Sequence, residues 1–103
     1  MAENEAIFRD ANERIQARAR ELEFPKPVPF LCECGAPDCH EIVSVSLDAY
    51  TEVRSRPTQF LVAPGHEPVA ESGGHVVAEH EGHLVVEKTG VAGEVAARRD
   101  PRR

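Results

Sequence analysis

Phe8, Ala11, Ile15, Ala19 and Leu22 recur at steps of three and four residues. That spacing places them on one helical face and predicts an amphipathic α-helix from residue 2 to about 22. Glu5 with Arg9 and Asp10 with Arg14 form i,i+4 pairs with the acid first, the favourable order. Arg14, Arg18 and Arg20 fall late in the helix, where cations suit its dipole, and they read as a solvated face. The apolar stripe is narrow and Ala-rich, so the helix could also dock a partner. Phe24-Pro25-Lys26-Pro27-Val28-Pro29 ends it, because prolines at alternate positions enforce an extended strap.

After the prolines the period shortens. Phe30-Leu31-Cys32-Glu33-Cys34 and Glu41-Ile42-Val43-Ser44-Val45 read as strands paired around a Gly35-Ala36-Pro37-Asp38 turn. Ser46 is a good N-cap for a helix over residues 47–55, with Leu47, Tyr50 and Val53 on one face and Pro57 beyond it. Phe60-Leu61-Val62-Ala63 is another strand, bounded by Pro64-Gly65. The stretch from Glu67 to Gly74 reads as a mobile loop. His75–Glu79 and His83–Glu87 form a hairpin around Glu81-Gly82. A three-residue loop with Gly82 left-handed puts Val76, Ala78, Leu84 and Val86 on one face; a two-residue loop shifts that register by one. Val91–Ala97 suits a last helical turn or two, and the basic run from Arg98 to Arg103 reads as a disordered tail.

The change from helical periodicity to short β-branched runs predicts an α+β fold. An N-terminal amphipathic helix (1–24) packs on a small, mostly antiparallel sheet with a short second helix (25–90), followed by a flexible basic tail (91–103). A chain of 103 residues with no Trp, one Tyr and four Phe buries a modest core, for which a metal clip is a sensible supplement. The net charge of −6 argues against a general nucleic-acid binder. No apolar run approaches the ~18 residues of a membrane span, and no signal peptide is evident. The expectation is a cytoplasmic protein that meets a protein partner rather than a membrane.

All three cysteines lie within Cys32–Cys39. In an extended segment Cys32 and Cys34 share a face, and the turn returns Cys39 towards them. Thiolates are soft ligands suited to zinc or iron–sulfur chemistry. Zinc takes four ligands in a structural site, or three and a water in a catalytic one. The fourth ligand must come from elsewhere, and His40, His66, His75, His80 and His83 are available. His66 follows Pro64-Gly65 at a strand end, a position that commonly carries ligands. His40 adjoins Cys39, and neighbouring strand residues point to opposite faces. Other readings of the thiols are plain buried cysteines, a disulfide with one thiol left over, or a redox pair. His75, His80 and His83 could form a second metal cluster, although histidines flanking a turn are more often solvated.

The run Pro29–Cys34, with Cys39, Leu47–Arg54, Phe60–Glu67 and Val85–Lys88, resembles a group of small, mainly uncharacterised actinobacterial proteins. These carry a Phe-Leu-Cys-Glu-Cys stretch, a further Cys, a short helix with Tyr and Val-Arg, and Pro-Gly-His-Glu. The resemblance gives no activity. It implies that Cys32, Cys34, Cys39 and His66 belong to one pattern, which favours His66 as the fourth ligand. The chain departs from the pattern after Glu67, where its loop is small and Gly-rich.

Three function classes follow. The first is a zinc-binding, non-catalytic interaction or regulatory module. The second is a thiol/zinc redox sensor, in which oxidation ejects the metal. The third is a zinc enzyme with an open coordination site. A deaminase needs H-x-E followed by P-C-x-x-C, and Pro37-Asp38-Cys39 has no second cysteine after it. No nucleophile elbow or phosphate-binding glycine loop is present. The non-catalytic module is the preferred class.

Overall fold

The computed structural model describes residues 2–22, 27–36, 38–67 and 74–100. The first part of the proline strap, Pro37 in the expected turn, most of the loop after Glu67 and the last three tail residues lie outside the described residues. The fold is α+β. Its elements are α1 (Ala2–Glu21), β1 (Val28–Leu31), β2 (Ile42–Val45), α2 (Leu47–Val53), β3 (Gln59–Val62), β4 (Gly74–His80), β5 (His83–Lys88) and α3 (Gly90–Arg98). β1 and β2 pair antiparallel, and a three-stranded antiparallel sheet runs β3-β5-β4. None of the helices is long and apolar enough to cross a membrane.

The core lies between the sheets and α2. Phe30 stacks on Tyr50 with ring centroids 4.2 Å apart. Val43, Leu61, Val85 and Val86 pack in the same buried region. α2 starts as its sequence predicts, with Ser46 Oγ accepting from Ala49 N at 3.0 Å, and it buries Tyr50 and Val53. The β4–β5 turn is the two-residue form, with His80 opposite His83 and Gly82 at φ 88°. A bulge between Val76 and Ala78 then sets Val76 against Val86 and Ala78 against Val85. The extra residue therefore lets one strand satisfy parts of both predicted registers.

α1 corrects the sequence reading. Its buried positions are Glu5, Ala6, Arg9, Asn12, Gln16 and Ala19, whereas Leu22 is 60% exposed. Of the predicted stripe, Ala19 is buried and Ile15 packs half-buried against the core, while Phe8 and Ala11 lie on the flank of a buried face that is mostly polar. It is tolerated because its groups find partners. Glu5 pairs with Lys88 at 2.5 Å rather than with Arg9. Arg9 donates to the carbonyls of Pro57 (2.6 Å) and Ala96 (2.7 Å), and its guanidinium lies over the Phe60 ring at 4.6 Å. Gln16 donates to Thr51 Oγ1 at 2.7 Å.

The last helical turns expected over Val91–Ala97 are present as α3, which packs against α1 and β5. Beyond it Asp100 is buried and ion-paired with Arg54, itself fully buried. A buried guanidinium with a carboxylate partner anchors this end of the chain, a tie that the basic run conceals in the sequence. α3 also needs Gly93, since a Cβ there would meet the Lys88 carbonyl oxygen at 2.8 Å. Backbone cannot yield as a flexible side chain would. Gly93→Ala is expected to cost ~1–3 kcal/mol, read as a lower urea midpoint at unchanged slope.

Candidate metal centre

β1 ends at Leu31, so Cys32 and Cys34 lie just past the strand rather than within it. Pairing persists for one more step, with Cys32 N donating to Glu41 O at 3.0 Å. Gly35 then takes φ 83°, a left-handed conformation in which glycine is at ease. Cys39 N donates to Ala36 O at 3.1 Å, closing the turn that brings the third cysteine back. His66 is positioned by Ala63-Pro64-Gly65-His66. His66 N donates to Ala63 O at 3.1 Å, and Gly65 has φ 87°. Pro second and a left-handed Gly third is the pattern of a type II turn. β3 therefore delivers His66 by a turn whose chemistry is written in the sequence.

These two turns bring the four predicted residues together. The ligand atoms of Cys32, Cys34, Cys39 and His66 all lie within 4.8 Å of one another. His66 Nδ1 is 3.5 Å from Cys39 Sγ and 3.7 Å from Cys32 Sγ. A zinc tetrahedron with Zn–S ~2.3 Å and Zn–N ~2.0–2.1 Å has edges of roughly 3.5–3.8 Å. The spacing is thus that of donors around a common centre. The cluster could hold a metal ion, and three sulfurs with one imidazole nitrogen suit zinc.

The surroundings suit a thiolate that is ligated rather than free. Cys32 is buried, Cys34 and Cys39 are half-buried, and all three are unbridged. Burial pushes the Cys32 thiol up to about 12 and also raises Cys34. Reactive cysteines have the opposite setting, with a depressed pKa. Ala63 N donates to Cys32 Sγ at 3.2 Å, which offsets residual negative charge on a thiolate. Metal uptake deprotonates its thiols. Zinc loading near neutral pH is therefore expected to release a proton from each of Cys32 and Cys34, seen in calorimetry as a heat that varies with buffer ionisation enthalpy.

Glu33, between the two cysteines, is fully buried. By parity it would share the face of exposed Pro29 and half-buried Leu31, but the chain has left the strand by this point and Glu33 turns into the interior. Its Oε2 accepts from Tyr50 Oη at 2.6 Å and Asn12 Nδ2 at 2.7 Å, and its Oε1 accepts from Leu61 N at 2.8 Å. Glu33 N in turn donates to Leu61 O at 2.7 Å. Both backbone groups of Leu61 are met by this one residue, so Glu33 joins the β1 segment to β3. Burial raises its carboxyl pKa, and the three donors offset that rise only in part. The sequence carries no signal for this, because strand parity places Glu33 with exposed Pro29 and its partners come from α1, α2 and β3.

His40 is exposed and is not part of the cluster. His80 and His83 stack with centroids 4.6 Å apart. His75 lies near the other end of β4, opposite Glu87. The three histidines do not gather into a metal site among the described residues. Burial, and secondarily the charge of His80, holds His83 below its ordinary pKa.

Fold and site together define a small α+β domain with a Cys3His cluster able to hold a metal ion. Comparison with protein-family models, with curated proteins and with solved structures returns no match.

Proposed function

We propose that the chain is a zinc-binding, non-catalytic module that acts in the cytoplasm by meeting a protein partner. The observation carrying this reading is the convergence of four donor atoms within 4.8 Å. Three sulfurs and a nitrogen fill a tetrahedral zinc, leaving no open position for water or substrate. The burial of Cys32 and half-burial of Cys34 and Cys39 favour a closed structural site over a sensor, which needs an accessible thiolate. The net charge of −6 makes nucleic acid a poor partner. Kinship with the actinobacterial proteins sharing the Phe-Leu-Cys-Glu-Cys and Pro-Gly-His-Glu pattern belongs to the same proposal.

Metal analysis of protein purified without chelator is expected to give one zinc per chain. Mild peroxide should leave that zinc in place. Ready loss of zinc with disulfide formation would favour the sensor, and a metal-free chain with all thiols reduced would overturn both.

A further inference from the structure

Asn12 sits in the middle of α1, and all three of its hydrogen bonds fall on the segment flanking Cys32. Its Nδ2 donates to Leu31 O at 2.8 Å and to Glu33 Oε2 at 2.7 Å, while its Oδ1 accepts from Leu31 N at 2.7 Å. Leu31 and Glu33 bracket the first cysteine, and Glu33 is itself bracketed by two. The position of this segment therefore decides whether Asn12 has partners. The rest of the inner face of α1 is held in the same polar manner, by Glu5, Arg9 and Gln16. Its buried apolar side chains, Ala6 and Ala19, are small, and Ile15 is only half-buried against the core. Such a face can exchange protein partners for water, which an apolar face cannot do cheaply. The β3-β5-β4 sheet is different: Phe60, Leu61, Val85 and Val86 hold it by apolar burial.

We propose that the metal centre and the docking of α1 form one coupled unit, joined through Asn12 and Glu33, so that metal loss releases α1 ahead of the β3-β5-β4 sheet. This rests on the metal-binding reading above. With metal bound, Cys32 and Cys34 fix the 31–33 segment in the geometry that Asn12 recognises. Without it the segment loses two anchors, and α1 loses the template for its central contact. Coupling is reciprocal: whatever the metal does for α1, a docked α1 does for metal affinity.

The test uses the full chain, with hydrogen exchange read at peptide resolution before and after chelation. α1 is expected to exchange ~5–150-fold faster after chelation, the span of typical coupling factors, while β5 changes less. Asn12→Ala, which keeps all four ligands, is expected to bind zinc but to show fast α1 exchange even when loaded. Its zinc affinity, measured by competition with a chromophoric chelator, should fall by a factor within the same range. An unchanged affinity would overturn the coupling, since a purely structural asparagine would not move it. Equal acceleration of α1 and β5 on chelation would also overturn it, because the metal would then hold the whole domain. If wild-type chain binds no zinc, the metal reading fails and the coupling with it. Bound zinc with unresponsive α1 exchange sinks the coupling alone.

Discussion

Replacing Cys32 by serine is expected to abolish zinc retention and to lower the melting temperature sharply, with α1 released before the β3-β5-β4 sheet. Cys32 is the most enclosed of the ligands, at 3% exposure. Its sulfur also accepts the Ala63 amide proton and stands 3.7 Å from the His66 nitrogen. A serine hydroxyl is a hard, weakly acidic donor and does not replace a thiolate for zinc. Structural zinc binds zinc-finger peptides with ~10–16 kcal/mol of apparent free energy. Total stability of a domain is only ~5–15 kcal/mol, so even a fraction of that binding energy, felt first where α1 docks, lowers stability markedly. Chelation of the wild-type protein should reproduce the effect. His66→Ala should also release zinc, because it removes the tie between β3 and the cysteine turn. His40→Ala should leave zinc content and melting temperature unchanged, since His40 is exposed outside the cluster. Metal analysis with thermal melts, with and without chelator, checks all four outcomes.

Glu33→Ala is expected to be the most damaging change outside the ligands, at about 3–5 kcal/mol. It leaves the Tyr50 hydroxyl, the Asn12 amide and the Leu61 N–H without their acceptor in the interior. Glu33→Gln is milder, about 1–3 kcal/mol. Its single carbonyl oxygen can serve Tyr50 and Asn12, but its amide then turns a donor towards the Leu61 N–H. Urea denaturation of the zinc-loaded variants measures both. Equal stability for Glu33→Ala and wild type would show that this network contributes nothing net.

The site was more legible in the sequence than the packing of the helix above it. Cys32, Cys34 and Cys39 are close in sequence, so a local turn suffices to gather them. His66 is placed by Pro64-Gly65, whose turn preferences are intrinsic. The span of α1, the Ser46 cap and the β4–β5 hairpin were likewise readable, because each follows from local periodicity or turn chemistry. The inner face of α1 was not. Hydrophobic periodicity assumes that what is buried is apolar, but Arg9, Asn12 and Gln16 are buried by virtue of acceptors on other elements. Those acceptors include the carbonyls of Pro57, Ala96 and Leu31, which carry no sequence signal. Asp100 was hidden for a related reason. A lone acid in a basic run reads as solvated until the fold brings a buried Arg54 beside it.

Zinc K-edge X-ray absorption on the purified full-length chain tests the central claim most directly. The account predicts one zinc with three sulfurs at ~2.3 Å and one nitrogen at ~2.0–2.1 Å, and loss of the nitrogen contribution in any zinc left on His66→Ala. A first shell made mainly of nitrogen and oxygen, or protein that carries no zinc while its three thiols remain reduced, would contradict it.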